Sequence, residues 1–151
     1  MKFFYVLAAL FPLITAASAE PRACGVPAHA SPAVNKQVYN IAKSRGLDAR
    51  ELLATFETAW VESHMNNLPC GDRDSVGVFQ QRPSAGWGTK AQCQDVNHAT
   101  NTFINHLIPI ARRYPKASAG TLAQKVQGSA YPARYDQAQG IARQLIAQAQ
   151  H

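Results

Sequence analysis

The sequence predicts a mainly α domain, α+β at most, and three observations carry that prediction. Apolar residues recur at three- and four-residue steps through most of the chain after residue 33. Residues suited to helix caps and stops stand at the ends of those runs, as Asp48 and Gly46 do. Only one short stretch, Val76 to Gln81, reads as strand. A length of 151 residues fits one domain, and 46% hydrophobic against 16% charged residues places the chain among compact folds rather than solvated disordered ones.

The elements follow in order. Residues 1–19 read as a signal peptide: Lys2 gives a positive start, Phe3 to Ile14 is an apolar run, and Ala17 and Ala19 have the small-x-small spacing of a cleavage site. The run is too short to span a bilayer, which takes about twenty apolar residues. Residues 20–33 hold Pro21, Pro27 and Pro32 among small side chains and predict an extended leader. The folded domain is expected over residues 34–151. Val34, Val38, Ile41 and Ala42 outline a first helix ending at Gly46. Asp48 then caps a second, running to about Ser63, in which Leu52, Leu53, Phe56, Ala59, Trp60 and Ser63 share an arc of roughly 120°. From Asn66 to Gly88 repeated Gly and Pro abolish the pattern, leaving at most a short β-ribbon. Helical character returns near Thr89–Gln92 and over His98–Tyr114, where Pro109 is expected to kink or break the run. Ser118 or Thr121 begins a further helix through Val126, and Tyr135 to Ala149 forms the last.

Composition narrows the function classes. Fifteen Lys and Arg against nine Asp and Glu give +6, but the basic residues form no run interleaved with aromatics, so nucleic acid is a poor partner. A positive surface suits an anionic polymer. His64, His98 and His106 lack metal-ligand spacing and no phosphate or dinucleotide fingerprint occurs, so neither metal nor cofactor is expected. An exported chain permits disulfides. Of the three pairings open to Cys24, Cys70 and Cys93, Cys70–Cys93 is favoured, with Cys24 unpaired in the leader.

The irregular central loop is where chemistry is expected, because a compact helical domain has no structural need of more than twenty such residues. It follows Glu62, which lies about 60° outside the apolar arc of its helix. A loop folding over that edge would partly desolvate the carboxyl, favouring its protonated form. A general acid for glycosidic cleavage has that property. Glu62-Ser63 followed by Gly77-Val78-Phe79-Gln80 resembles the Glu-Ser … Gly-x-x-Gln signature of lysozyme-like transglycosylase domains. The block from Gly71 to Thr89, with Gly71-Asp72-Arg73-Asp74-Ser75 and Phe79-Gln80-Gln81-Arg82-Pro83-Ser84, is similar to a module of actinobacterial cell-wall proteins and small secreted fungal proteins. The likeness extends through Val126 to Pro132 and covers roughly residues 48–149.

That resemblance implies a lysozyme-like helical domain with an irregular loop beside the active-site helix. Glu62 matches the catalytic acid, Ser63 the polar residue after it, and Gln80 the cleft glutamine. Ser75, Phe79, Gln81 and the downstream aromatic Tyr131 extend the substrate-binding set, and Trp87 offers a face to a sugar ring. A second carboxylate would be Asp74 or Asp72, orienting a water in an inverting reaction. Alternatively the substrate's N-acetyl group or 6-hydroxyl is the nucleophile, or both aspartates only pin the loop. The expected activity is secreted, extracellular cleavage of β-1,4 bonds in peptidoglycan or a related N-acetylated glycan such as chitin, by a monomer. The alternative is a non-catalytic glycan-binding protein or effector on the same scaffold.

Overall fold

The computed structural model describes residues 24–151; the expected signal segment, residues 1–19, lies outside them. The described chain is mainly helical, as the periodicity predicts. Its helices are α1 (Pro32–Ser44), α2 (Ala49–Ser63), α3 (Lys90–Cys93), α4 (Val96–Arg113), α5 (Ala119–Gln127), α6 (Ala133–Gln137) and α7 (Gln139–Ala149), with one 3-10 turn at Pro83–Ala85. No sheet forms among the described residues. The strand-like stretch closes as a single antiparallel bridge, Val76 and Gln81 exchanging both N–H···O bonds at 3.1 Å.

Helix α2 is the axis of the fold. Its start is fixed by a capping box: Asp48 Oδ1 accepts the Glu51 N–H at 2.8 Å, and Glu51 Oε2 accepts the Asp48 N–H at 3.0 Å. Every residue from Leu52 to Ala59 is buried, because α4, α5, α6 and α7 all pack on this one helix. Phe56, Phe79, Phe103, Ile104, Leu107 and Leu122 are fully enclosed around it. Each such side chain contributes roughly 1.5–3 kcal/mol through removal from water.

The flanking helices are held by specific polar ties. Helix α1 starts at Pro32, two residues ahead of its first apolar position, because Ser31 caps it and proline suits the first helical turn. Asn35 Nδ2 donates to Leu145 O at 2.9 Å and Lys36 Nζ to Ala149 O at 2.7 Å, joining α1 to α7. Helix α4 runs unbroken past Pro109, contrary to a break there. Leu107 and Ala111, on either side of Pro109, are both buried in the core, and Arg50 donates to the carbonyls of Ala111, Tyr114 and Ala117 at the helix end. Packing therefore retains both halves despite the missing donor. The last helix is two helices, divided at Ala138. Asp136 accepts from Gly120 N–H at 3.1 Å and Ser118 Oγ at 3.1 Å, which ties α6 to the N-terminus of α5.

The disulfide differs from the favoured pairing. Cys24 bonds to Cys70, with Cα atoms 5.5 Å apart, while Cys93 is free and buried. The described part of the leader is accordingly docked: His64 Nδ1 lies 2.8 Å from Pro27 O, and Asn66 Nδ2 donates to His29 O at 3.0 Å. Cys93 meets the loop elsewhere, where its carbonyl occupies the place a Cβ on Gly77 would take.

Candidate functional site

Helix α2 ends at Ser63, and His64 and Met65 follow with φ of 50° and 60°. This left-handed pair turns the chain sharply, so the loop folds back along the last turn of α2. Ser63 Oγ donates to Val78 O at 2.7 Å and accepts the Asn66 N–H at 3.1 Å, pinning the loop at two points. Ser63 is fully buried. Its role is to fasten the loop beside Glu62, not to meet a substrate.

Glu62 itself is half-buried and lines a cleft of about 270 Å³ together with Asp72, Ser75, Gln80, Gln127, Ser129, Arg134 and Tyr135. The loop forms one wall, and the C-terminal end of α5 with α6 forms the other. Tyr135 Oη donates to Glu62 Oε1 at 2.7 Å. Burial, with the Glu62 carboxylate beside it, raises the Tyr135 hydroxyl above the usual tyrosine range, so it remains a donor. Gln80 adopts φ of 48°, a region that non-glycine residues seldom occupy. Its amide donates to Gly77 O at 3.1 Å and Cys70 O at 3.2 Å. Gly71 has no room for a Cβ, because the Gln80 side chain fills that space. Gln127 Nε2 donates to Phe79 O at 3.0 Å and closes α5 onto the loop.

The expected site residues separate into two groups. Glu62, Asp72, Ser75 and Gln80 come together in the cleft. Phe79 does not reach it: its ring is fully buried and stacked on Phe103 at 4.7 Å. Gln81 is likewise internal, only 2% exposed, with Nε2 donating to Ala99 O at 3.0 Å. Strand-like alternation is lost in this tight turn, so neighbours of Gln80 turn inward. Trp87 packs on His106 of α4, ring centroids 4.6 Å apart, and anchors the far limb of the loop. Tyr131 is exposed, with the Arg134 guanidinium 5.9 Å from its ring centre, and stands outside the set lining the cleft.

The two aspartates are also distinguished. Asp74 accepts from Arg82 Nε at 2.7 Å, Ser84 N–H at 2.8 Å and Ser84 Oγ at 2.9 Å. Those bonds, Arg82 foremost, hold its carboxyl far below the usual range. Asp74 pins the loop and lies outside the lining of the Glu62 cleft, whereas Asp72 is part of that lining.

Sequence reading missed Tyr135, Arg134, Gln127, Ser129 and the buried Glu57. Tyr135 lies four residues beyond the aromatic that the family pattern suggested, and helical periodicity offered the clue, since it opens the last apolar run. Glu57 carries both carboxylate oxygens enclosed with no hydrogen-bond partner among the described residues. Burial, reinforced by Asp136 and opposed by Arg143, pushes its carboxyl up to about 8. Its signal was a charged residue about 40° beyond the apolar arc on the side opposite Glu62. No protein-family model matches this chain, and no curated protein matches it either. The described residues include no group of His, Cys, Asp or Glu arranged to hold a metal ion. No helix among them is long and apolar enough to cross a membrane.

Proposed function

We propose that the protein is a secreted enzyme that cleaves β-1,4 glycosidic bonds of peptidoglycan, with Glu62 as the general acid. The observation that carries this reading is the placement of Glu62: a half-buried carboxyl at a helix end, in a polar cleft, with one oxygen fixed by Tyr135 Oη at 2.7 Å. The other oxygen is left to face a glycosidic oxygen and deliver a proton as the bond breaks. Gln80, Ser75, Ser129 and Arg134 supply the donors and acceptors that N-acetylated sugars and their acidic substituents would engage. Asp72 is the second carboxylate lining the cleft and is the residue suited to orient an attacking water. The Cys24–Cys70 disulfide and the lack of a membrane-crossing helix among the described residues are compatible with export.

Mass analysis of fragments released from purified peptidoglycan tests this reading. The parent protein should release disaccharide-peptides and Glu62→Gln should release none. A reducing-end product with loss of activity in Asp72→Asn would identify water-mediated hydrolysis. A 1,6-anhydro product insensitive to that substitution would identify internal transfer to the 6-hydroxyl. Sedimentation of the parent with insoluble walls and no fragment release would make the cleft a glycan-binding site without catalysis.

A further inference from the structure

Nine residues before Glu62, about 14 Å away along the axis of α2, Leu53 faces a second and larger hollow. It has a volume of about 640 Å³ and lies between the first turns of α2, the start of α5 and the exposed edge of α7. Leu52, Leu53, Ala119 and Ile146 supply its apolar surface, and the small side chain of Ala147 leaves one side open. The volume falls within the range of roughly 300–1,000 Å³ found for small-molecule sites.

The charged groups at this hollow are all of one sign. Arg50 and Arg143 border it, and no acidic side chain lines it. The Arg50 guanidinium is immobilised by three neutral carbonyl oxygens, of Ala111, Tyr114 and Ala117, at 2.7–3.0 Å, so its position is fixed while its net charge persists. Arg143 is exposed and has no hydrogen-bond or ion-pair partner among the described side chains. An apolar surface with one fixed and one free cation at its border is complementary to a molecule with a hydrocarbon body and a single anionic end. A sugar or nucleotide carries more polar groups than Ser118, Gln139, Gln150 and the two arginines of the lining can meet, and would set the remainder against leucine and isoleucine.

We propose that this groove is a binding site for a medium-chain aliphatic carboxylate, its chain against Leu52, Leu53, Ala119 and Ile146 and its carboxylate on Arg143. Guanidinium and carboxylate form paired, parallel hydrogen bonds, which the unengaged Arg143 can supply. The site is separate from the Glu62 cleft, shares none of its lining residues, and does not depend on the activity proposed there.

Calorimetric titration of the full chain with hexanoate, octanoate and decanoate below their micellar concentrations, and with octanol as the uncharged control, tests the proposal. Saturable one-to-one binding is expected, tightening about fourfold per added methylene. Octanol should bind more weakly than octanoate. Arg143→Gln, at an exposed position, should weaken octanoate about tenfold and leave octanol unchanged. Ala147→Trp, also exposed, should fill the open side and abolish both, with melting temperature checked in each variant. Affinity independent of chain length, equal binding of acid and alcohol, or no effect of Arg143→Gln would each overturn the proposal. So would self-association of the parent that Ala147→Trp abolishes, since a second copy would then be the occupant. The chain-length series requires no variant and decides the matter even if Ala147→Trp fails to fold.

Discussion

Tyr135 shows how much of the site depends on one hydroxyl. Its ring is fully buried while its oxygen alone reaches Glu62, so Tyr135→Phe removes the hydrogen bond and preserves the packing. We expect wall-clearing activity to fall about tenfold, in line with the loss of the one hydrogen bond that orients the Glu62 carboxyl. Unchanged circular dichroism would confirm that the fold is intact. Gly71 makes the complementary case. A methyl there meets the Gln80 side chain and the Ser75 carbonyl, so Gly71→Ala should displace both from the cleft. Activity should drop at least tenfold, with a stability loss of about 1–3 kcal/mol from overpacking, measurable by urea denaturation. Glu62 and Gln80 were legible in the sequence because they occupy a recognisable local pattern. Phe79 and Gln81, placed in the substrate-binding set by resemblance alone, are buried because the tight turn directs both side chains inward.

At the scale of elements, helices α2 and α5 were legible because each carries its own cap beside an apolar stripe, Asp48 and Ser118, and α1 by its stripe alone, since its cap Ser31 lies in the stretch read as leader. What was not legible depends on contacts between distant segments. Pro109 sits in a helix that tertiary packing holds together, and the division between α6 and α7 accompanies Asp136 reaching Gly120 and Ser118. The Cys24–Cys70 link is of the same kind, since a leader of small residues shows no periodicity to reveal where it docks. Closing 46 residues of sequence separation, this disulfide should stabilise the fold by about 2–4 kcal/mol. Cys24→Ser should therefore lower the denaturation midpoint clearly. Mass mapping under non-reducing conditions should show the 24–70 linkage and an unmodified Cys93 thiol, which burial raises above its ordinary range.

For the whole molecule, the most consequential buried charge is Glu57, enclosed where α2 meets α6 and α7. Its carboxyl titrates at about 8 when folded, against an ordinary 4.5. The folded state then holds a proton that the unfolded chain releases at lower pH. The stability that this one group contributes is full below about 4.5, declines as pH rises toward 8, and levels off above it. Glu57→Gln, which needs no proton to be neutral, should flatten that decline and be more stable than the parent at pH 8 by on the order of 3 kcal/mol. Denaturant midpoints of the two proteins across pH 4–9 check this, and parallel curves would refute it.

The proposed activity rests on Glu62 and on the loop that Ser63 fastens beside it, braced internally by Asp74 and against α4 by Trp87. The rate at which the parent and Glu62→Gln clear a suspension of bacterial walls, with thermal unfolding of both proteins measured alongside, tests it most directly. Clearing by the parent and none by an equally stable Glu62→Gln is the predicted result. Equal clearing by the two proteins would contradict it.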